Sequence, residues 1–214
     1  MLVKEFCAEN YTDIPAAIAN GAKRIELCDN LSVGGTTPST GVIEESLAYA
    51  SEKEVPVMVM IRPRAGDFIY NDIELRMMET DVIEAKKMDI DGIVLGCLTP
   101  ANWLDEEALE RLIEAAAGLQ ITFHMAFDQI PAERQYEAID WLVEHGVNRI
   151  LTHGGSSYTS ITENIEHLVD LINYASNRLT ILPGGGVTAE NAEEIASKLG
   201  VNEVHGTNIV SLEN

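Results

Sequence analysis

Two short stretches carry the same pair of chemical groups. Glu5-Phe6-Cys7 in "EFCAEN" and Glu26-Leu27-Cys28 in "ELCDN" each follow an apolar run. A deprotonated thiol is a soft metal ligand, and residues two apart fall on one side of an extended strand. If the two stretches are neighbouring strands, about 4.8 Å apart, their thiols can share one ion; otherwise they are small buried filler. In "PVMVMIRPRAGDF", Met58, Met60, Arg62 and Arg64 alternate onto one side. Arg62 is then placed to neutralise Glu5 or Glu26, and Arg64, beyond Pro63, to grip a carboxylate or phosphate at a rim.

Further along, "ITFHMAFDQ" sets Thr122, His124, Ala126 and Asp128 on one face. A His with an Asp there can ligate a metal or, with Glu26, move protons. Gly184, Gly185 and Gly186 in "PGGGVTAEN" precede Thr188, a helix N-cap candidate, and His205 and Thr207 share a side in "VHGTN". Glycine turns beside helix starts can hold an anion through backbone N–H groups, or only make tight connections. Cys97 falls on the helix side of its strand, the direction of His153 depends on a turn, and "VGGTTPSTG" is long enough to act as a lid.

The elements that must position these groups alternate along the whole chain. Eight β-rich runs, from "LVKEFCA" through "RIELC", "PVMVMIR", "GIVLG", "ITFHMAF", "RILTHG" and "LTILPG" to "EVHGT", enclose seven stretches with helical signals. Gly21, Gly118, Gly146 and Gly200 mark helix ends, and Pro131 suits a first helical turn. This pattern predicts a single α/β domain over residues 1–214, a TIM-type (β/α)8 barrel with the eighth helix missing or very short, in preference to a doubly wound sheet. Chemistry in such a barrel belongs at the C-terminal mouth, where these motifs fall. The missing helix leaves the flank between helices seven and one thinly covered, which suggests a homodimer or higher homo-oligomer.

Composition narrows the function classes. Of 214 residues, 35 are acidic and 14 basic, a net charge of −21 that repels polyanions, so nucleic acid is a poor partner. No apolar run is long enough for a leader or a membrane span, which implies a cytoplasmic protein. Three cysteines without CxxC spacing argue for reduced thiols. No P-loop, dinucleotide fingerprint or Gly-x-Ser-x-Gly elbow is present, and no Lys on strands five to seven offers a Schiff base.

"ELC" with "GGTTPSTG", then "MIRPRAGDF", "TFHMAFD", "RILTHGG", "PGGGV" and "HGT" resemble, in order and over almost the whole chain, the CutC copper homeostasis family. The resemblance implies a TIM-type barrel, a cytoplasmic protein that self-associates, and Cu(I) handling through cysteines that match Cys7 and Cys28. It also implies mouth residues at Glu5, Glu26, Arg62, Arg64, His124 and Asp128. Three positions depart from the family pattern: Met125 stands where it has arginine, His153 where it has serine, and "HGT" where serines are common. Two functions follow as expectations. One is a Cu(I)-binding protein for buffering or trafficking; the other is an enzyme acting by acid/base chemistry on a small anionic or phosphorylated metabolite.

Overall fold

A computed structural model describes residues 2–212. Eight strands alternate with seven α-helices, as the sequence predicts: β1 (Val3–Glu9), α1 (Ile14–Ala19), β2 (Arg24–Cys28), α2 (Thr40–Glu52), β3 (Val57–Met60), α3 (Asp72–Lys86), β4 (Gly92–Leu95) and α4 (Glu106–Ala115). There follow β5 (Gln120–Phe123), α5 (Gln135–Glu144), β6 (Arg149–Thr152), α6 (Ile165–Ala175), β7 (Thr180–Pro183), α7 (Ala192–Leu199) and β8 (Glu203–Gly206). All ladders are parallel, in the order β7-β6-β5-β4-β3-β2-β1-β8. Between the two edges, β7 and β8, the parallel bridge Thr188–Asn208 makes the barrel nearly closed.

Local chemistry explains the boundaries. Asn71 and Glu74 form a capping box at the start of α3, and Ser39 and Asp105 cap α2 and α4. Gly21, Gly118, Gly146 and Gly200 all adopt positive φ just past a helix, a conformation that glycine enters without a Cβ penalty. Two expected starts move. Pro131 precedes a short 3₁₀ turn, Ala132–Arg134, and α5 begins only at Gln135. Asn191, not Thr188, occupies the N-cap of α7.

The apolar strand faces and helix stripes form one continuous core between barrel and helices, with Ile25, Leu27, Ile93 and Phe123 fully buried. Cys97 lies in that layer, as its parity implied. No helix follows β8 among the described residues. Instead Ile209 and Val210, just past β8, are buried in the main core. Large apolar side chains are exposed on α3 instead, at Ile73, Met77 and Ile83. Among the described residues no helix is long and apolar enough to cross a membrane.

Candidate functional site

Register builds the inner layers of the barrel. Glu5 lies opposite Arg24 on β2 and His205 on β8, while Cys7 lies opposite Glu26 and Cys28 opposite Glu9. The two thiols are therefore staggered by two residues and do not form a flat layer, as the shear of a closed barrel requires. Their side chains still converge: Cys7 Sγ is 3.9 Å from Cys28 Sγ and 3.3 Å from Glu26 Oε1. Cys28 donates to Ala8 O at 3.3 Å. Met58, Met60 and Val94 enclose the pair in a small cluster separate from the main core. All three cysteines are free thiols.

The partner of the buried carboxylates is not the one expected. Arg24 donates from Nε to Glu5 Oε2 and from Nη2 to Glu203 Oε2 at 2.7 Å. His205 Nδ1 meets Glu5 Oε1 at 2.7 Å, and its Nε2 lies 3.9 Å from Glu26 Oε1. Arg24 shares the parity of Glu26 and Cys28, so strand alternation alone marked it as inward. Arg62 instead donates to the carbonyl of Gly66 on its own loop and to those of Val33 and Gly35, because the loop after β2 folds over the mouth within its reach. That loop is tied down further by the bridge between Asp29 and Thr36, so it is a pinned cover and not a free lid.

Electrostatics follow this arrangement. Burial pushes the Glu5 carboxyl up, but the His205 hydrogen bond and the Arg24 charge outweigh it and hold the group down at about 2. Burial raises the Glu26 carboxyl, helped by Glu5 and opposed by His205. The Cys7 thiol is driven well above the ordinary range by its bond to Cys28, by burial and by Glu26, so it is protonated in the metal-free protein. Burial pushes His205 down, but the Glu26 and Glu5 carboxylates more than compensate and raise it. A carboxylate held low when folded stabilises the protein above its unfolded value of 4.5, and that contribution is lost as pH falls through about 2. Acid titration followed by circular dichroism should therefore show stability falling between these limits, with the Glu5-dependent part absent in Glu5→Gln.

His124 follows β5 and caps a 3₁₀ helix, Met125–Gln129, where its Nδ1 accepts from Ala126 N at 3.2 Å. Strand parity therefore ends at Phe123, and Asp128 sits on a helical turn, not on the same strand face as His124. Asp128 accepts from Thr152 Oγ1, His153 N (2.9 Å) and Gly154 N (3.2 Å), which fastens the end of β6. His153 bridges the carbonyls of Gly184 and Thr159. A Cβ on Gly96 would stand 2.5 Å from His124 Cε1. Gly96→Ala is thus expected to displace the imidazole and destabilise the fold by about 1–3 kcal/mol, measurable by urea unfolding together with the His124 ring resonances.

A mouth cavity of about 350 Å³ brings together Cys7, Glu26, Met60, Arg62, Phe68, His124, Met125, Gly185, Gly186, His205 and Thr207. Asp128 and His153 line the adjoining cleft instead. Arg64 lines neither; it is held by Glu74 at 2.5 Å and Asp67 at 3.0 Å, with Glu74 already fixed as part of the α3 cap. Gly184 packs closely on Leu151, Met125 and His205. The glycine turn does not open a helix, since α7 starts at Ala192, so the expected helix-dipole contribution to an anion site is missing.

The residues present suit a soft cation. Ligand atoms of Cys7, Glu26 and His205 lie within 4.8 Å of one another, Cys28 and two methionines adjoin them, and Glu26 Oε2 is buried with no hydrogen-bond partner. Eight parallel strands with polar side chains gathered at the C-terminal mouth define a TIM-type (β/α)8 barrel. The chain belongs to the CutC family, whose model matches residues 2–210. It is 66% identical to the family protein CutC of Enterococcus faecalis over 209 residues, 98% of this chain and all of that one. It is 39% identical to a human copper homeostasis protein cutC homolog over 201 residues, 94% of this chain and 71% of that one. A solved CutC structure from Streptococcus agalactiae superposes with a TM-score of 0.96 at 52% identity, covering 98% of this chain and all of that one.

Proposed function

We propose that this protein binds Cu(I) at the barrel mouth, with Cys7 and Cys28 as the thiolate ligands, and serves copper homeostasis by buffering or trafficking the ion in the cytoplasm. The observation that carries this reading is the 3.9 Å separation of the two buried sulfurs within a cluster that also holds Met58 and Met60. Soft sulfur donors select Cu(I) over harder divalent ions, and a reducing compartment keeps such thiols available. The human relative's name points to the same role.

Binding must expel the proton that Cys7 holds, because the thiolate is the ligand. Glu26, which accepts from Cys7 at 3.3 Å, is the adjacent acceptor for it, and His205 stands next to Glu26. Glu26 and His205 also offer the harder atoms that would complete a coordination shell. Anaerobic competition against a Cu(I) chelator tests the reading: the protein should withdraw one ion per chain, and Zn(II) at equal concentration should not displace it. Failure to compete with the chelator would refute it.

A further inference from the structure

We propose that the mouth cavity also binds a small monocarboxylate with an apolar body, its carboxylate accepting from His124 Nε2–H beside the Arg62 guanidinium. The tautomer of His124 is set by the backbone. Because Nδ1 accepts from Ala126 N at 3.2 Å, the proton of the neutral ring is on Nε2. Burial and the charge of Arg62 keep the ring neutral, pushing it down to about 3. Nε2 is buried and has no hydrogen-bond partner, so the site contains an unmet donor of fixed direction. Gly96 lies flush against the ring and Phe68 packs 4.7 Å from its centre, which leaves the imidazole little freedom to turn elsewhere.

Arg62 supplies a second unmet donor on the same cavity. Its Nε has no partner, its Nη atoms donate to neutral carbonyls, and no carboxylate among the described residues lies within ion-pair distance. Arg62 and His124 are each only 4% exposed. A buried guanidinium without an acidic partner calls for an anion. Met60, Phe68, Met125, Leu151 and Val187 give the wall a large apolar part beside its polar residues Glu26, His205 and Thr207, and the 350 Å³ volume lies within the usual span of small-molecule sites, about 300–1,000 Å³. One cation, two unpartnered N–H donors and a largely apolar stretch of wall fit a singly charged carboxylate on an apolar body. A phosphate dianion would need more donors than these two unpartnered ones, and no α-helix among the described residues begins at a residue that lines the cavity.

The test is a ligand-detected NMR titration of metal-free protein, held in chelator so that copper plays no part and the outcome is independent of the copper reading. Cyclohexanecarboxylate is compared with its uncharged isostere cyclohexanecarboxamide and with cyclohexyl phosphate. The carboxylate should bind at least about tenfold tighter than the carboxamide, the range expected of a hydrogen bond to a charged group. His124→Phe should weaken the carboxylate by about tenfold, and His124→Gln, which keeps an N–H donor, should recover part of that loss. Equal or tighter binding of the carboxamide or the phosphate overturns the assignment, as does absence of saturable carboxylate binding. Unchanged affinity in a folded His124→Phe protein overturns it too. The comparison among the three probes on the unmodified protein stands even if that variant does not fold.

Discussion

Replacing Arg24 by methionine is expected to destabilise the protein by about 3–5 kcal/mol, the usual consequence of removing one partner from a buried charge network. Arg24 is almost wholly buried and bridges Glu5 on β1 to Glu203 on β8. Its loss leaves the Glu5 carboxylate with His205 as its remaining charged neighbour at hydrogen-bond distance. Two responses are open to the molecule: Glu5 takes up a proton, or the β1–β8 seam loosens. Either reduces stability at neutral pH more than at low pH, where the carboxylate is already protonated in the unfolded chain. Urea unfolding of Arg24→Met and of Arg24→Met/Glu5→Gln measures this. The double variant should recover a substantial part of the loss, because the stranded charge is then gone, and equal losses in both would mean that Arg24 acts through packing alone.

The second large effect concerns the thiols. Cys7→Ser/Cys28→Ser should lower Cu(I) affinity by more than about 100-fold, since changes to groups that merely orient a metal ligand already cost about 10–100-fold. Serine preserves shape but offers a hard, protonated oxygen in place of a soft thiolate. Each single variant should lose less than the pair, with Met60 and His205 left as alternative donors. Stability is a necessary control, because Cys28 is fully buried and its thiol bonds to Ala8 O. Thermal unfolding of the metal-free variant within a few degrees of the parent would separate lost ligation from lost fold.

Much of this was legible in the chain. The alternation of β-rich runs with helical stretches gave all eight strands and all seven α-helices, and strand parity put Glu5, Cys7, Glu26 and Cys28 on the inner face. Parity failed where strands stopped. The strand β5 ends at Phe123, so Asp128 sits on a 3₁₀ turn and fastens the end of β6, outside the cavity of Glu26 and His124. Arg24 was available by the same alternation, two residues before Glu26, yet Arg62 looked the more natural counter-ion because the fold of the β2–α2 loop cannot be read from spacing. That loop presents carbonyls to Arg62 and so redirects it. The partners of Arg64 were equally out of view, since Glu74 lies ten residues on and reaches back only after α3 has formed. The stagger of the two cysteines is a property of barrel shear, which one strand's pattern does not contain.

Whether Cys7 and Cys28 together hold Cu(I) is read by copper-edge X-ray absorption of protein loaded anaerobically with one equivalent. The expected spectrum shows a nearest shell dominated by two sulfur neighbours at thiolate distance, about 2.3 Å by analogy with zinc–thiolate bonds, which disappears in Cys7→Ser/Cys28→Ser. A shell of nitrogen and oxygen alone, or a sulfur signal that survives in that variant, would contradict it.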